Sequence, residues 1–216
     1  MESPFRAPIP AGTRLIETFR FCAATQSVPR LDLHLARLER SARVMGFPVD
    51  AQALQACIMA LSGQIDLRCR LTLSEDGASE ITTAELSSQT AAIWHVAIAD
   101  QPLHSDDPWL RYKTTQRAVY DLARKELPQG VDELLFLNEH GELCEGTITN
   151  LFVTLETGAR VTPHLSCGLL PGVLRQSLLE TGDVQEGVID LPMLQSAKAI
   201  HVGNSLRGLI PVRLKR

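Results

Sequence analysis

The chain has 216 residues, 44% of them hydrophobic and 21% charged, with 21 basic residues against 25 acidic ones and a formal net charge of -4. That is a globular profile with room for a sizeable core, and it argues against nucleic-acid binding, which draws on a basic excess; the only small basic cluster is Arg213, Lys215 and Arg216. No apolar run reaches the roughly 18 residues of a membrane span, and Met1-Glu2-Ser3-Pro4 carries neither the basic nor the apolar region of a secretory signal.

Residues 14–22, rich in β-branched and aromatic types, predict a strand. Leu31, Leu35, Leu38, Ala42 and Met45 recur at helical spacing, with Gly46 and Pro48 as the stop. A second helix follows behind the cap Asp50, with Leu54, Cys57, Ile58 and Leu61 on one face and Gly63 past its end. From Ile65 to Leu73 apolar and polar residues alternate, which predicts a half-buried strand. Glu75-Asp76-Gly77 turns it into a partner over 80–86, and 93–99 reads as another strand. The polar, proline-bearing stretch 101–108 reads as a linker between a first domain, 1–100, and a second, 109–216. The second domain is expected to open with a helix over 114–127. Strands follow over 133–138 and 150–155 with a turn at Glu139-His140-Gly141 and a return through Leu143, then a helix over 172–181 and strands over 198–202 and 209–214.

Five cysteines without a C-x-x-C pair, and six isolated histidines without H-E-x-x-H, predict reduced thiols in a cytoplasmic setting and no metal centre. No G-x-G-x-x-G, Walker loop or G-x-S-x-G is present, so nucleotide binding and nucleophile-elbow hydrolysis have no support. What remains is polar residues at unusual places. Lys113 stands between the linker and a helix; alone it reads as a solvated lysine. Cys144-Glu145-Gly146-Thr147-Ile148-Thr149-Asn150-Leu151-Phe152 sets a carboxylate and an amide between two strands; alone it reads as a turn.

Together with Gly168-Leu169-Leu170-Pro171-Gly172-Val173-Leu174-Arg175, Gly203-Asn204-Ser205-Leu206-Arg207-Gly208, Ile16-Glu17-Thr18-Phe19-Arg20 and His34-Leu35-Ala36-Arg37-Leu38, these segments resemble, in order, the class IV aminotransferase family. Its members are fold-type IV pyridoxal-phosphate enzymes, among them branched-chain and D-amino-acid aminotransferases and 4-amino-4-deoxychorismate lyases. The resemblance implies an α/β (α+β) fold of two domains, D-amino-acid aminotransferase-like, with the cofactor in the cleft between them and a homodimeric assembly. It makes Lys113 the Schiff-base lysine and the general base, its pKa lowered by desolvation beside a cationic ring. Glu145 becomes the partner of the pyridinium nitrogen, with Asn150 supporting the strand. Arg37 corresponds to the phosphate arginine, although an exposed helix-face arginine is the other reading. Val173 and Leu174 fall where helix N-terminal amides hold phosphate, and Leu174 stands where aminotransferases commonly have threonine. Ser205 and Leu206 fall in the second phosphate loop.

The same resemblance speaks to substrate. Thr18 matches the lyase pattern, where branched-chain aminotransferases typically have glycine, and its hydroxyl could pass a proton or orient substrate. Arg20 and Arg207 are candidate substrate-carboxylate ligands or structural ion-pair partners. The expected reaction is the folate-pathway conversion of 4-amino-4-deoxychorismate to p-aminobenzoate and pyruvate. A class IV aminotransferase and a non-catalytic homologue are the alternatives. The chain departs from stand-alone members in having only Ala7–Thr13 before the I-E-T-F-R motif, where a longer strand and a pocket-shaping loop are usual.

Overall fold

The computed structural model describes residues 4, 5, 7–86 and 93–215; Arg216 of the basic cluster and the first three residues lie outside them. The chain divides into two compact units, Met1–Ser88 with Tyr112–Gln116, and Gln89–Arg111 with Arg117–Arg216.

In the first unit, β1 (Arg14–Phe21), β2 (Leu67–Ser74) and β3 (Ser79–Glu85) form an antiparallel sheet in that order. Alternation decides its faces: Leu15, Glu17, Phe19 and Phe21 of β1 share one side, and Ile16, Thr18 and Arg20 the other. Helix α1 (Leu31–Met45) lies against β1 through His34, whose ring meets Phe19 edge-on at 5.6 Å, and it ends at Gly46 in the left-handed region. Helix α2 (Ala51–Met59) is capped as the sequence predicts, by Asp50 Oδ1 accepting from the Ala53 N–H. Strand β2 begins later than the alternation suggests, since Ile65 is 49% exposed. The free edge of β1 is taken by residues 112–116. Ile16 donates to the Lys113 carbonyl at 2.8 Å, and Thr115 donates to Arg14 at 2.9 Å.

The second unit is built on a closed sheet. Its strands are β4 (Trp94–Ile98), β5 (Glu133–Leu137), β6 (Leu143–Gly146), β7 (Asn150–Thr154), β8 (Arg160–Pro163), β9 (Gln185–Gly187), β10 (Ala199–Asn204) and β11 (Gly208–Leu214). They run β10-β11-β4-β5-β6-β7-β8-β9, and β10 also pairs with β7, which closes a barrel. Val96, Leu135, Leu143, Leu151, Val153 and Val202 fill its interior. Alternate residues face outward: Phe136 joins Tyr120 of α3 (Ala118–Lys125), and Phe152 joins Leu174 of α4 (Val173–Glu180). A short helix, α5 (Leu191–Gln195), is capped by Asp190 and precedes β10.

Three expectations change. Strand β4, assigned to a first domain over 1–100, pairs in parallel with β5 and β11 of the second unit. The stretch 101–108 is no linker: Leu103 is buried, donates to the Leu137 carbonyl, and Ser105 binds Glu139. The helix expected from 114 starts at Ala118, because 112–116 is drawn into extended pairing with β1. Lys113 therefore belongs to the first unit rather than to a 109–216 domain.

A buried ionic node ties α1 to β1. Arg37 donates through Nε and Nη2 to Glu17 at 2.8 and 2.6 Å, and His34 Nδ1 lies 2.6 Å from the same carboxylate. Burial pushes the Glu17 carboxyl up, but the Arg37 charge and the His34 hydrogen bond outweigh it and hold the group at about 2. Burial lowers the His34 imidazole, with its bond to Glu17 offsetting only part. Both groups bind protons less readily folded than unfolded. Their stabilisation is therefore complete above the ordinary histidine range and is lost as pH falls, His34 first and Glu17 between its ordinary value of 4.5 and about 2. Replacing Glu17 by Gln removes the carboxylate that Arg37 and His34 both bind. We expect a loss of roughly 3–5 kcal/mol at neutral pH and a flatter acid limb in urea denaturation across pH; a variant whose stability parallels wild type at every pH contradicts this.

Candidate active site

Within the first unit, β1 and its neighbours place four candidate residues. Lys113 is half-buried on the segment beside β1, its backbone fixed by the Ile16 bond before the flanking Thr114, which is buried. Gln116 adds a side-chain bond to Thr13 Oγ1 at 2.9 Å. Arg37 is 5% exposed, so the exposed helix-face reading does not hold, and Glu17 occupies its Nε and Nη2. Thr18 is half-buried on the opposite face of β1 from Glu17. Arg20, on the Thr18 side, forms an ion pair with Asp66, whose other oxygen accepts from the Ala23 N–H. The ion pair is one of the two roles the sequence leaves open for Arg20.

Within the second unit, three loops meet. The first joins β6 to β7. Its centre is Glu133, fully buried at the start of β5, which accepts from the N–H groups of Leu134, Thr147 and Ile148 at 3.1, 3.1 and 3.2 Å and from the hydroxyls of Thr147 and Thr149. Arg124 of α3 adds an ion pair at 3.5 Å. Gly146 lets the chain pass this carboxylate: a Cβ there would stand 2.9 Å from Glu133 Cδ. The E-G-T-x-T spelling is thus a wrapping of backbone and hydroxyl donors around one buried acid, an arrangement the sequence alone left as a turn.

At either end of that loop stand Glu145 and Asn150, paired in register. Glu145 is 6% exposed and accepts from the Tyr120 hydroxyl at 2.7 Å, the Leu170 N–H at 3.1 Å and Asn150 Nδ2 at 3.3 Å. Donors to both of its oxygens are how an ionised carboxylate is satisfied. Asn150 also donates to the Leu170 carbonyl at 3.0 Å, which brings in the second loop. Its Oδ1 lies where a Cβ at residue 172 would be, so only glycine fits there. Gly172 is followed by α4, whose first turn has no side-chain cap. Val173 and Leu174 are buried, and their part in holding an anion is through backbone N–H groups.

The third loop, between β10 and β11, is held by Asn204. Its Oδ1 accepts from the N–H groups of Leu206 and Arg207 at 3.1 and 2.9 Å, and its Nδ2 donates to the Ile148 carbonyl at 3.1 Å. Gly203 packs so closely that a Cβ would stand 2.9 Å from Leu174 Cδ2. The structure therefore brings Glu145, Asn150, Val173, Leu174, Ser205 and Leu206 to one region of the second unit. The Leu206 amide is already bonded to Asn204 Oδ1. Arg207 is exposed, its guanidinium 5.8 Å from the Trp94 ring centre. Sequence reading missed Glu133, Tyr120 and Asn204; the threonines around Gly146 and the Asx-type turn at Asn204 were the available signals.

The chain matches the family described as amino-transferase class IV over residues 14–214. It belongs to that family. Among solved structures it resembles the "Putative amino-acid aminotransferase" of Mesorhizobium loti, with 42% identity and a TM-score of 0.87 over 94% of this chain and all of that one. The "Aminodeoxychorismate lyase" of Saccharomyces cerevisiae is 31% identical over 140 residues, 56% of this chain but only 37% of the yeast protein. The "Putative aminodeoxychorismate lyase" of Schizosaccharomyces pombe is 28% identical over 187 residues, 82% of this chain and 80% of that one.

The family's enzymes depend on pyridoxal phosphate, and this chain is a pyridoxal-phosphate enzyme. The residues present fit the group. An uncapped helix start and Ser205 suit a phosphate, and the donor-ringed carboxylate of Glu145 suits a protonated ring nitrogen. Among the described residues no helix is long and apolar enough to cross a membrane, and no cluster of side chains could hold a metal ion. All five cysteines are free.

Because Glu133 satisfies so many donors at once, Glu133→Ala should lower stability by about 3–5 kcal/mol and weaken pyridoxal-phosphate binding at least tenfold. Thermal melts and a fluorescence titration read both. Wild-type affinity in a folded variant would show that the β6–β7 turn holds its shape without this acid.

Proposed function

We propose that the chain is a lyase that converts 4-amino-4-deoxychorismate to p-aminobenzoate and pyruvate, acting as a homodimer in the cytoplasm. The reading is carried by the lyase-like Thr18 on β1, where the family's branched-chain aminotransferases typically have glycine, and is supported by the two fungal relatives named as lyases. Pyridoxal phosphate supplies an electron sink for the substrate's ring carbon. Lys113 Nζ, having held the cofactor, takes the proton from that carbon. Glu145 keeps a proton at the cofactor's ring nitrogen, so the sink stays strong. Arg37, the first-turn amides of α4 at Val173 and Leu174, and Ser205 bind the phosphate, with Leu206 contributing through the turn it shares with Ser205. Asn150 fixes the Glu145 carboxylate. Thr18 orients the departing enolpyruvyl group and passes it a proton, and Arg207 offers a cation to a substrate carboxylate.

A second reading is favoured by the 42% identity to the Mesorhizobium loti protein named as an amino-acid aminotransferase: a class IV aminotransferase acting on D- or branched-chain amino acids. Loaded protein given 4-amino-4-deoxychorismate should release p-aminobenzoate and pyruvate in equal amounts, with Lys113→Ala slower by roughly a thousandfold or more. Light scattering on the same sample should give twice the chain mass. If amino acids bleach the bound cofactor's visible band and a keto acid restores it, with no pyruvate from 4-amino-4-deoxychorismate, the aminotransferase reading replaces this one.

A further inference from the structure

Tyr120 is an unusual place for a phenol. It sits on α3, 8% exposed, with its ring edge-on to Phe136 at 5.4 Å and the Arg117 guanidinium 5.5 Å above its face. Arg117 is itself anchored, donating to Asp121 at 2.8 Å and to the Thr147 carbonyl at 2.9 Å. The ring cannot swing without breaking these contacts, and its hydroxyl is delivered to Glu145 Oε1 at 2.7 Å. A buried hydroxyl needs a partner, but any carbonyl would have served that need. Here the partner is the carboxylate assigned to the cofactor's ring nitrogen.

We propose that Tyr120 is a positioning residue for the electron sink, holding Glu145 in its ionised form and aiming it at the cofactor's ring nitrogen. This rests on the role given to Glu145 above. The bond from an O–H donor to a carboxylate is charge-assisted and stabilises the ionised form. Asn150 Nδ2 and the Leu170 N–H, both neutral, also bind Glu145 directly, and the adjacent Cys144 thiol is pushed up by burial and by the Glu145 charge. Burial first, and Glu145 second, also keep the Tyr120 phenol protonated and able to donate. Of these three donors the Tyr120 hydroxyl makes the shortest bond. Without it the carboxylate loses a charge-assisted bond, and a proton shared with the ring nitrogen shifts toward Glu145.

The experiment uses protein loaded with pyridoxal phosphate labelled with 15N in the ring, whose chemical shift separates a protonated nitrogen from a bare one. Glu145→Gln sets the reference for a lost partner. Tyr120→Phe should move the nitrogen signal from the wild-type value toward that of Glu145→Gln, with turnover falling and substrate KM little changed. Replacing Tyr120 by 4-aminophenylalanine keeps the ring and a weaker donor, so it should move the signal the same way by less; it decides the matter if Tyr120→Phe does not fold. A signal that stays at the wild-type value in the folded variant, or moves away from the Glu145→Gln value, overturns the role of Tyr120. If Glu145→Gln itself leaves the signal unmoved, the ring-nitrogen role of Glu145 falls and takes this inference with it.

Discussion

The candidate site of the second unit depends on one buried acid. Glu133 has an ion pair with Arg124 at 3.5 Å, and its other described partners are the Leu134 N–H and the backbone N–H groups and threonine hydroxyls of the β6–β7 turn. A carboxylate taken out of water is costly unless donors surround it. Most of its donors come from residues 147–149, so the turn closes around it. That closure sets the positions of Glu145 before the turn and Asn150 after it. Asn150 carries the order onward to Leu170 and Gly172, and Asn204 ties the β10–β11 turn to the same loop through Ile148.

The first unit shows the same logic on a smaller scale. Glu17, His34 and Arg37 form a buried node in which each charge has a partner, and it locks α1 to β1. On the other edge of β1, the backbone of Ile16 fixes the carbonyl of Lys113. A reactive lysine gains from a stiff backbone, because a side chain with four rotatable bonds is otherwise spread over many conformers. In each unit, groups with little chemical reactivity of their own hold those assigned to the chemistry.

Local pattern made much of this legible. The alternation in β2, the heptad-like spacing of α1, the Asp50 cap and the glycine stops all reflect contacts within a few residues, and the structure has them close to where the sequence places them. What failed were features set by distant partners. Strand β4 owes its place to parallel pairing with β5 and β11, and 101–108 is packed by Leu137 and Glu139, more than thirty residues on. The same holds for the site. The motifs around Lys113, Glu145 and Gly172 are visible as short words, whereas Glu133 and Tyr120 are single residues whose meaning lies in partners 14 and 25 positions away.

The central claim is that Lys113 carries the cofactor, and covalent trapping tests it most directly. Borohydride reduces the carbon–nitrogen double bond that joins pyridoxal phosphate to a lysine and makes the attachment permanent, so peptide mass spectrometry can locate it. The account predicts the added mass on the peptide containing Lys113 and its disappearance in Lys113→Ala. Stable labelling of Lys125, Lys198 or Lys215 instead, with Lys113 unmodified, would contradict it.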